Sequence, residues 1–442
     1  MLPPPPPSAP RRGNGRPLPR IPALARLAPV LPLATLAAAA LTVSAAAQSY
    51  DTGGLQLTFG LLLRSTAEDN RALEPDSAGP STTAQTHLSL GLLSETRSER
   101  LAFDIDGTLR ALDTPGGTAA GSALTNPGLA LSYGRSSVGA RLGLEAALRE
   151  TDLSENRLDA DGLNQVSGTA TRRRGTAGVS LNWGDDAPLG FGLLARVEDT
   201  TYRDGTATGT GNSTLDDSRR RTLGATTRID LGPVQQLDLG LTWSDFDLAT
   251  LSGRRETVTL DSTLTLARPR GATSVNLTLT STEEGDRIAT SLGQSLALPS
   301  GQLSGQIGAT RSAEGGTYMT GGLDLRHELA RSTLSLGLSR SVTSSDTTDG
   351  EQLSTRAALS YSRELPPVGR IRVGLNLLGT EQTATGAQTL GTEFGLSYSR
   401  DLPQDWTVAA GYTHRFRDED GTGAAQSNRI FLELRRDFVS RF

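Results

Sequence analysis

The feature that most constrains this chain is a period of two that recurs through it and runs to its last residue. Stepping back by twos from the end of Asn428 to Phe442 (NRIFLELRRDFVSRF) gives Phe442, Ser440, Phe438, Arg436, Leu434, Leu432 and Ile430, an apolar set interrupted by Ser440 and Arg436. The other parity is Arg429, Phe431, Glu433, Arg435 and Asp437, mostly charged. Successive side chains of a strand point to opposite faces, so this is a β-strand with one oily and one wet face. Taken alone, the stretch fits a soluble sheet edge equally well.

The rest of the chain repeats the pattern. Leu55, Leu57, Phe59, Leu61 and Leu63 alternate with Gln56, Thr58 and Gly60; Leu101, Phe103 and Ile105 alternate with Asp104 and Asp106. Val138, Ala140, Leu142 and Leu144 alternate with Gly139, Arg141, Gly143 and Glu145. Further runs are Leu237 to Trp243, Val258 to Leu266, Val275 to Leu279, Leu334 to Leu338, Ile371 to Leu377 and Phe394 to Tyr398. About twenty such segments occur, each near the ~10 residues that a tilted strand needs to cross a bilayer. No helical period interrupts them.

The connections fall into two alternating classes. Tight ones are Gly184 to Leu189, Gly232 to Gln235, Arg268 to Gly271, Leu298 to Gly301, Leu365 to Gly369 and Asp401 to Asp405. Mostly longer, polar and often acidic ones are Thr151 to Gly168, Arg203 to Ser218, Val342 to Gln352, Thr380 to Gln388 and Arg417 to Ser427. This predicts an all-β, antiparallel up-and-down transmembrane β-barrel of about 18–20 strands, with short periplasmic turns and longer polar extracellular loops. About nine turns between ten loops make the strand number even.

Aromatics fall where such a barrel would meet the lipid interface. Tyr133, Trp183, Tyr361, Tyr398 and Trp406 lie beside tight turns, in phase with the apolar face of their strands. They predict a membrane-interface belt. A small repeat accompanies them: LSYGR at Leu131 to Arg135, and LSYSR at Leu359 to Arg363 and Leu396 to Arg400. Each arginine keeps the outward phase, from which it can snorkel to headgroup phosphates.

The first 47 residues read as an export signal. Arg11, Arg12, Arg16, Arg20 and Arg26 precede the apolar run Leu33 to Val43, and Ala45-Ala46-Ala47 offers small residues for cleavage, giving a mature start at Gln48 after a Pro-rich extension. The apolar run is shorter than the ~20 residues of a spanning helix. Removing the segment takes five arginines and no acid, so the formal net charge of -5 becomes -10. An acidic balance disfavours nucleic acid as a partner. There is no cysteine, so no disulfide holds the fold.

With its cleavable signal, alternating strands, short turns, longer loops and terminal Phe442, the chain resembles Gram-negative outer-membrane β-barrel proteins. Size, loop pattern and the LSYSR-type turns most resemble the β-barrel porins among them. The resemblance covers Gln48 to Phe442 and is compositional. It implies a cell outer-membrane location, lipid and lipopolysaccharide as surroundings, compatibility with homo-oligomers, and Phe442 as the assembly signal that the barrel-assembly machinery reads in the terminal strand. Two departures stand out, the sparse aromatic belt and the interruption at Ser440 and Arg436.

A barrel of this size leaves an aqueous lumen unless something fills it. The first strand follows Gln48 within ten residues, which predicts no N-terminal plug, and Thr151 to Gly168 is the best candidate for a narrowing loop. Candidate pore-lining residues are those of inward phase: Arg141, Glu145, Arg149, Arg196, Glu198, Arg228, Asp230, Asp238, Asp261, Arg326, Arg356, Arg372, Glu393, Arg415 and Glu433. They either set a transverse field across the lumen or pair with one another to satisfy a wet wall. Inward glycines (Gly139, Gly143, Gly240, Gly374, Gly395) would leave lumen volume or ease curvature.

No catalytic constellation, cofactor motif or metal-ligand spacing is present. His87-x-Ser89 resembles the pair of lipid A deacylases, small barrels in which Asn-Ala follows the serine, whereas Leu90-Gly91 follows here. Gly301 to Gly305 (GQLSG) has the wrong spacing for a nucleophile elbow, and Asp418-Glu419-Asp420-Gly421 lacks the distal Glu of a calcium loop. The sequence therefore points to a passive channel for small polar solutes or ions. Its alternatives are the conduit of a polysaccharide exporter or a non-conducting surface scaffold or adhesion barrel. The belt makes a separate prediction: Tyr398→Asp impairs membrane assembly, seen as loss of the heat-modifiable, fast-migrating form on gels, and unchanged migration speaks against a belt.

Overall fold

The computed structural model describes residues 54–114, 120–153, 167–168, 170–204, 207–208, 216–249, 254–344, 350–421 and 423–442. The export segment 1–47 and most of the Thr151 to Gly168 connection lie outside the described residues. In chain order the strands are β1 (Gly54–Glu68), β2 (Ser81–Glu95), β3 (Glu99–Asp113), β4 (Ala120–Ser137), β5 (Ala140–Asp152), β6 (Ser167–Gly168), β7 (Thr171–Trp183), β8 (Leu189–Arg203), β9 (Ala207–Thr208), β10 (Ser218–Gly232) and β11 (Gln235–Leu248). They continue with β12 (Arg254–Arg268), β13 (Gly271–Thr282), β14 (Gly285–Leu298), β15 (Gly301–Arg311), β16 (Thr317–Leu329), β17 (Ser332–Ser344), β18 (Glu351–Leu365), β19 (Gly369–Gln382), β20 (Gln388–Leu402), β21 (Trp406–Glu419) and β22 (Gly423–Arg441). Leaving aside β6 and β9, which pair with each other, twenty strands form one sheet among the described residues.

Each strand of that sheet pairs antiparallel with its neighbours in sequence, and β1 pairs with β22, closing the cylinder. At the seam Phe442 N donates to Leu55 O at 2.8 Å and Leu55 N to Phe442 O at 3.2 Å, so the terminal residue is hydrogen-bonded into the closure. Closure leaves no edge, the condition for a sheet to lie in lipid. Nine connections on one side are two to five residues long, and ten on the other run from two to eighteen.

Pairing registers carry the alternation around the barrel. On one face Leu241, Leu260, Leu279 and Ile288 stand side by side; on the other, Thr263, Asn276 and Ser291 do. The apolar face is out: Leu193, Leu223 and Leu292 are 50%, 53% and 54% exposed, and dozens of large hydrophobics share this state. Among the described residues the buried set is, conversely, more polar than apolar. A water-soluble fold inverts this distribution, whereas a lipid-facing wall requires it.

The strands are longer than the alternation suggested, 11 to 19 residues. Much of Val342 to Gln352, Thr380 to Gln388 and Arg417 to Ser427, read from sequence as loop, is ladder: β21 runs to Glu419 and β22 starts at Gly423. The ladder is built from backbone groups and continues where side chains turn polar. Along β10 the outward phase passes from Ile229, Ala225 and Leu223 to Arg221 and Arg219, which pair with Asp245 at 3.1 Å and Asp199 at 2.8 Å. That end stands clear of the hydrocarbon. Half of the loop-side connections are as short as the turns opposite, Glu283-Glu284 between β13 and β14 being the shortest. Val138 and Gly139 form a turn rather than strand, Gly139 at φ +72°, so Gly139 is no inward glycine.

The face assignment predicts that Leu277→Arg, outward at mid-strand, costs about 2–4 kcal/mol in bilayer refolding titrations with urea, while inward Thr278→Arg costs far less. Equal costs would reverse or abolish the assignment.

Candidate solute path

The inner wall is assembled from the polar phase of all twenty strands, and its chemistry is uneven. From β12 to β15 it is mainly hydroxyl and amide. Thr263 Oγ1 donates to Asn276 Oδ1 at 2.9 Å, Asn276 Nδ2 to Ser291 Oγ at 3.1 Å, and Thr278 Oγ1 to Asp261 Oδ1 at 2.7 Å. The sequence singled out Asp261; register shows that it is tied to a neighbouring hydroxyl.

Elsewhere the wall is charged and mostly paired across strands. Arg141 meets Asp185 at 2.5 Å, Glu145 meets Arg196 at 3.6 Å, Arg149 meets Asp106 at 3.0 Å, and Glu198 meets Arg174 at 2.6 Å. Arg228 lies 3.6 Å from Asp230 and donates to the carbonyls of Gly184, Asp185 and Ala187, clamping the β7–β8 turn. Asp238 accepts from Gln236. Arg326 pairs with Glu328 at 2.8 Å, and Glu433 lies 4.0 Å from Arg64. Arg356 has a partner of its own. Of the two sequence readings, wall-satisfying pairs therefore describe most of these residues. Arg372 and Glu393 differ: both are exposed on the inner phase, and neither has an ion-pair partner among the described residues.

A denser cluster sits at the seam. Glu68 accepts from Arg415 Nη2 and from Ser427 Oγ at 2.7 Å, and Arg429 Nε lies 3.6 Å away. Arg415 and Glu68 are both nearly buried, with side chains 12% and 9% exposed. Asp69 accepts from Asn428 N and Nδ2, both at 2.7 Å, so the first loop is bound back onto β22. Sequence reading found Arg415 but missed Glu68, Asp106, Arg174 and Asp185, because partners are set by register between strands. Their parity was legible; their opposition was not.

On the outer face Tyr133, Trp183, Tyr361, Tyr398 and Trp406, the aromatics expected to form a belt, stand toward turn-side strand ends. Trp183 stacks on Phe191 with centroids 5.4 Å apart, and the Tyr398 hydroxyl donates to Val368 O. Arg436, which interrupts the terminal pattern, lies 4.3 Å from the ring centroid of Phe438 and 5.5 Å from that of Trp406. Its charge is shielded by aromatic faces. His87, on the inner face, makes its ring hydrogen bond with Thr108 Oγ1 at 3.1 Å, on the neighbouring strand rather than with Ser89. No group of three His, Cys, Asp or Glu placed to hold a metal occurs among the described residues.

Against the inner wall of β15 to β19 lies a concavity of ≈ 400 Å³, lined by Ser304, Asp324, Arg326, Ser335, Ser360 and Asn376. It exists because Gly337, Ala358 and Gly374 leave side-chain space between larger polar neighbours. The arrangement offers hydrogen-bond donors and acceptors to a polar solute.

No protein-family model matches the sequence, and no curated protein matches it. Solved structures do. The siderophore receptor PirA from Pseudomonas aeruginosa superposes with a TM-score of 0.51 at 12% identity, over 88% of this chain and 81% of that one. OpdQ of Pseudomonas aeruginosa gives 0.41 at 11% identity over 89% and 100%, and PirA from Acinetobacter baumannii 0.48 at 10% over 89% and 81%. The fold is that of the Gram-negative outer-membrane β-barrels. At these identities the likeness concerns architecture alone.

The seam cluster predicts that Arg415→Met lowers stability by about 2 kcal/mol, the loss of a charge-assisted bond to a buried carboxylate. Arg326→Ala, whose ion pair is more than half exposed, changes it by less than about 1 kcal/mol. Urea refolding titrations of both variants check the contrast.

Proposed function

We propose that the chain is an outer-membrane channel for passive diffusion of small polar solutes or ions. The observation that carries this reading is a closed cylinder of twenty strands whose inner phase is mainly polar and holds exposed charges of both signs with no ion-pair partner among the described residues, Arg372 and Glu393 among them. Barrels of 16–18 strands leave an aqueous channel, and a wall already satisfied by its own ion pairs has little reason to bind a solute tightly. Weak binding is what diffusion needs.

In this reading residues 1–47 direct export and are removed before Gln48. The belt residues Tyr133, Trp183, Tyr361, Tyr398 and Trp406 fix the barrel's depth in lipid, lipopolysaccharide surrounds its outer half, and the barrel-assembly machinery engages the terminal strand through Phe442. Selectivity is weak and comes from width and the few free charges.

Single-channel recording of refolded residues 48–442 in a planar bilayer is the direct test. Large, stable steps are expected, with a reversal potential near zero under a salt gradient. Arg372→Glu moves that potential toward cation preference more than the double change Arg141→Asn/Asp185→Asn, which removes a neutral pair. A folded barrel without conductance overturns the reading, and equal shifts overturn the role given to Arg372.

A further inference from the structure

The cylinder is not uniformly laddered at its loop side. Between β16 and β17 the pairing runs from Leu329–Ser332 up to Gly321–Arg340 and stops, although β16 begins at Thr317 and β17 continues to Ser344. Above the split, β17 and β18 remain paired as far as Ser344–Glu351, and β18 stays paired with β19 from Gln352–Gln382. The wall has parted, and the hairpin end has left the line of β13 to β16.

Its phase shows where it has gone. Val342, Ser344, Glu351 and Leu353 belong to the outward phase of β17 and β18, yet Val342, Glu351 and Leu353 are buried. Ser344 and Glu351 meet residues of inward phase. Arg287 of β14 donates from Nη1 to Ser344 Oγ at 3.1 Å and to Glu351 Oε1 at 3.0 Å. Ser312, just beyond β15, donates to Glu351 Oε2, as does Ala313 N at 2.9 Å. Thr280 and Thr310, also of inward phase, are buried in the same region. Strands β14 and β18 are four apart, roughly 19 Å at ordinary ladder spacing. An outer face can rest on an inner face only if the hairpin end lies inside the wall.

We infer that Ser341–Ser344 with Gly350–Ser354 form an inturned flap that narrows the loop-side mouth, and that Glu351 is the residue that latches it to the inner wall. The inference rests on the channel reading for its consequence and on the phase argument for its geometry. Glu351 has no exposed side-chain surface, and its carboxylate takes three donors. Its own N donates to Glu314 Oε1 at 3.1 Å, and its carbonyl accepts from Thr383 N at 3.0 Å and Thr383 Oγ1 at 2.7 Å. Gly350 N donates to Glu284 Oε1 at 3.1 Å. A buried carboxylate is tolerated only when so satisfied, so the flap has one docked position. The rim is also shortest here: β13 and β15 have 12 and 11 residues, and the flap stands behind them.

The absence of cysteine makes the test clean. Ser312→Cys/Ser344→Cys, which leaves Glu351 in place, treated with a short bifunctional thiosulfonate in the refolded barrel, is expected to bridge in high yield and keep wild-type conductance. Replacing Ser341–Ser354 with Asn-Gly is expected to raise conductance at least twofold and admit larger neutral polymers. Should that variant not fold, Glu351→Arg, which sets a like charge against Arg287, is expected to flicker to larger steps. Failure to bridge, or wild-type conductance in a folded shortened barrel, overturns the flap. A silent wild type with a conducting shortened barrel supports the flap and removes the reading of an open channel. If both are silent the channel reading fails and the narrowing role falls with it, leaving the bridge yield to decide the docking alone.

Discussion

Everything in this molecule depends on the pairing of β1 with β22. Lipid offers no partner to a peptide group, so an unpaired edge within the hydrocarbon would strand a row of donors and acceptors at several kcal/mol each. The bond pair between Leu55 and Phe442 starts the seam at the turn side, and the Glu68 cluster with Arg415, Ser427 and Arg429 fastens it at the other. Side chains and backbone thus close the same joint by two independent means.

Once closed, the cylinder divides labour between its faces. Leucine and aromatic residues satisfy lipid outside without packing into a core. Inside, opposite charges two strands apart neutralise one another across an intervening glycine, as Arg149 does with Asp106 over Gly128 and Arg196 with Glu145 over Gly178. Such a wall gains rigidity from its pairs and leaves few charges to address a solute. Arg372 and Glu393 stand out for that reason.

Strand parity was legible in the sequence because a period of two survives any register, and the alternation of short and long connections followed from Gly and Pro spacing. The extent of the strands was not legible. Residues such as Arg417 to Glu419 are polar, and polarity in a chain without context reads as loop, whereas a ladder above the membrane needs no hydrophobic face. Ion partners were hidden for a different reason: Glu68 lies 359 residues from Ser427, and only closure brings them together. The inturned hairpin was the least legible of all. Val342 to Gln352 has the composition of an exposed loop, and the placement of its described ends, Val342–Ser344 and Gly350–Gln352, follows from a split in the ladder that no local pattern encodes.

The seam also sets the order of events in the life of the chain. Its strands are bound to sequence neighbours, so nineteen of the twenty joints form locally, as hairpins do. The twentieth joins segments from opposite ends of the chain and is its one pairing of high sequence separation, the kind of contact that forms slowly. Until it forms, every intermediate is an open sheet with two bare edges and an oily face, prone to stick to its own kind. An open sheet of this kind therefore stays exposed to self-association until its two ends meet.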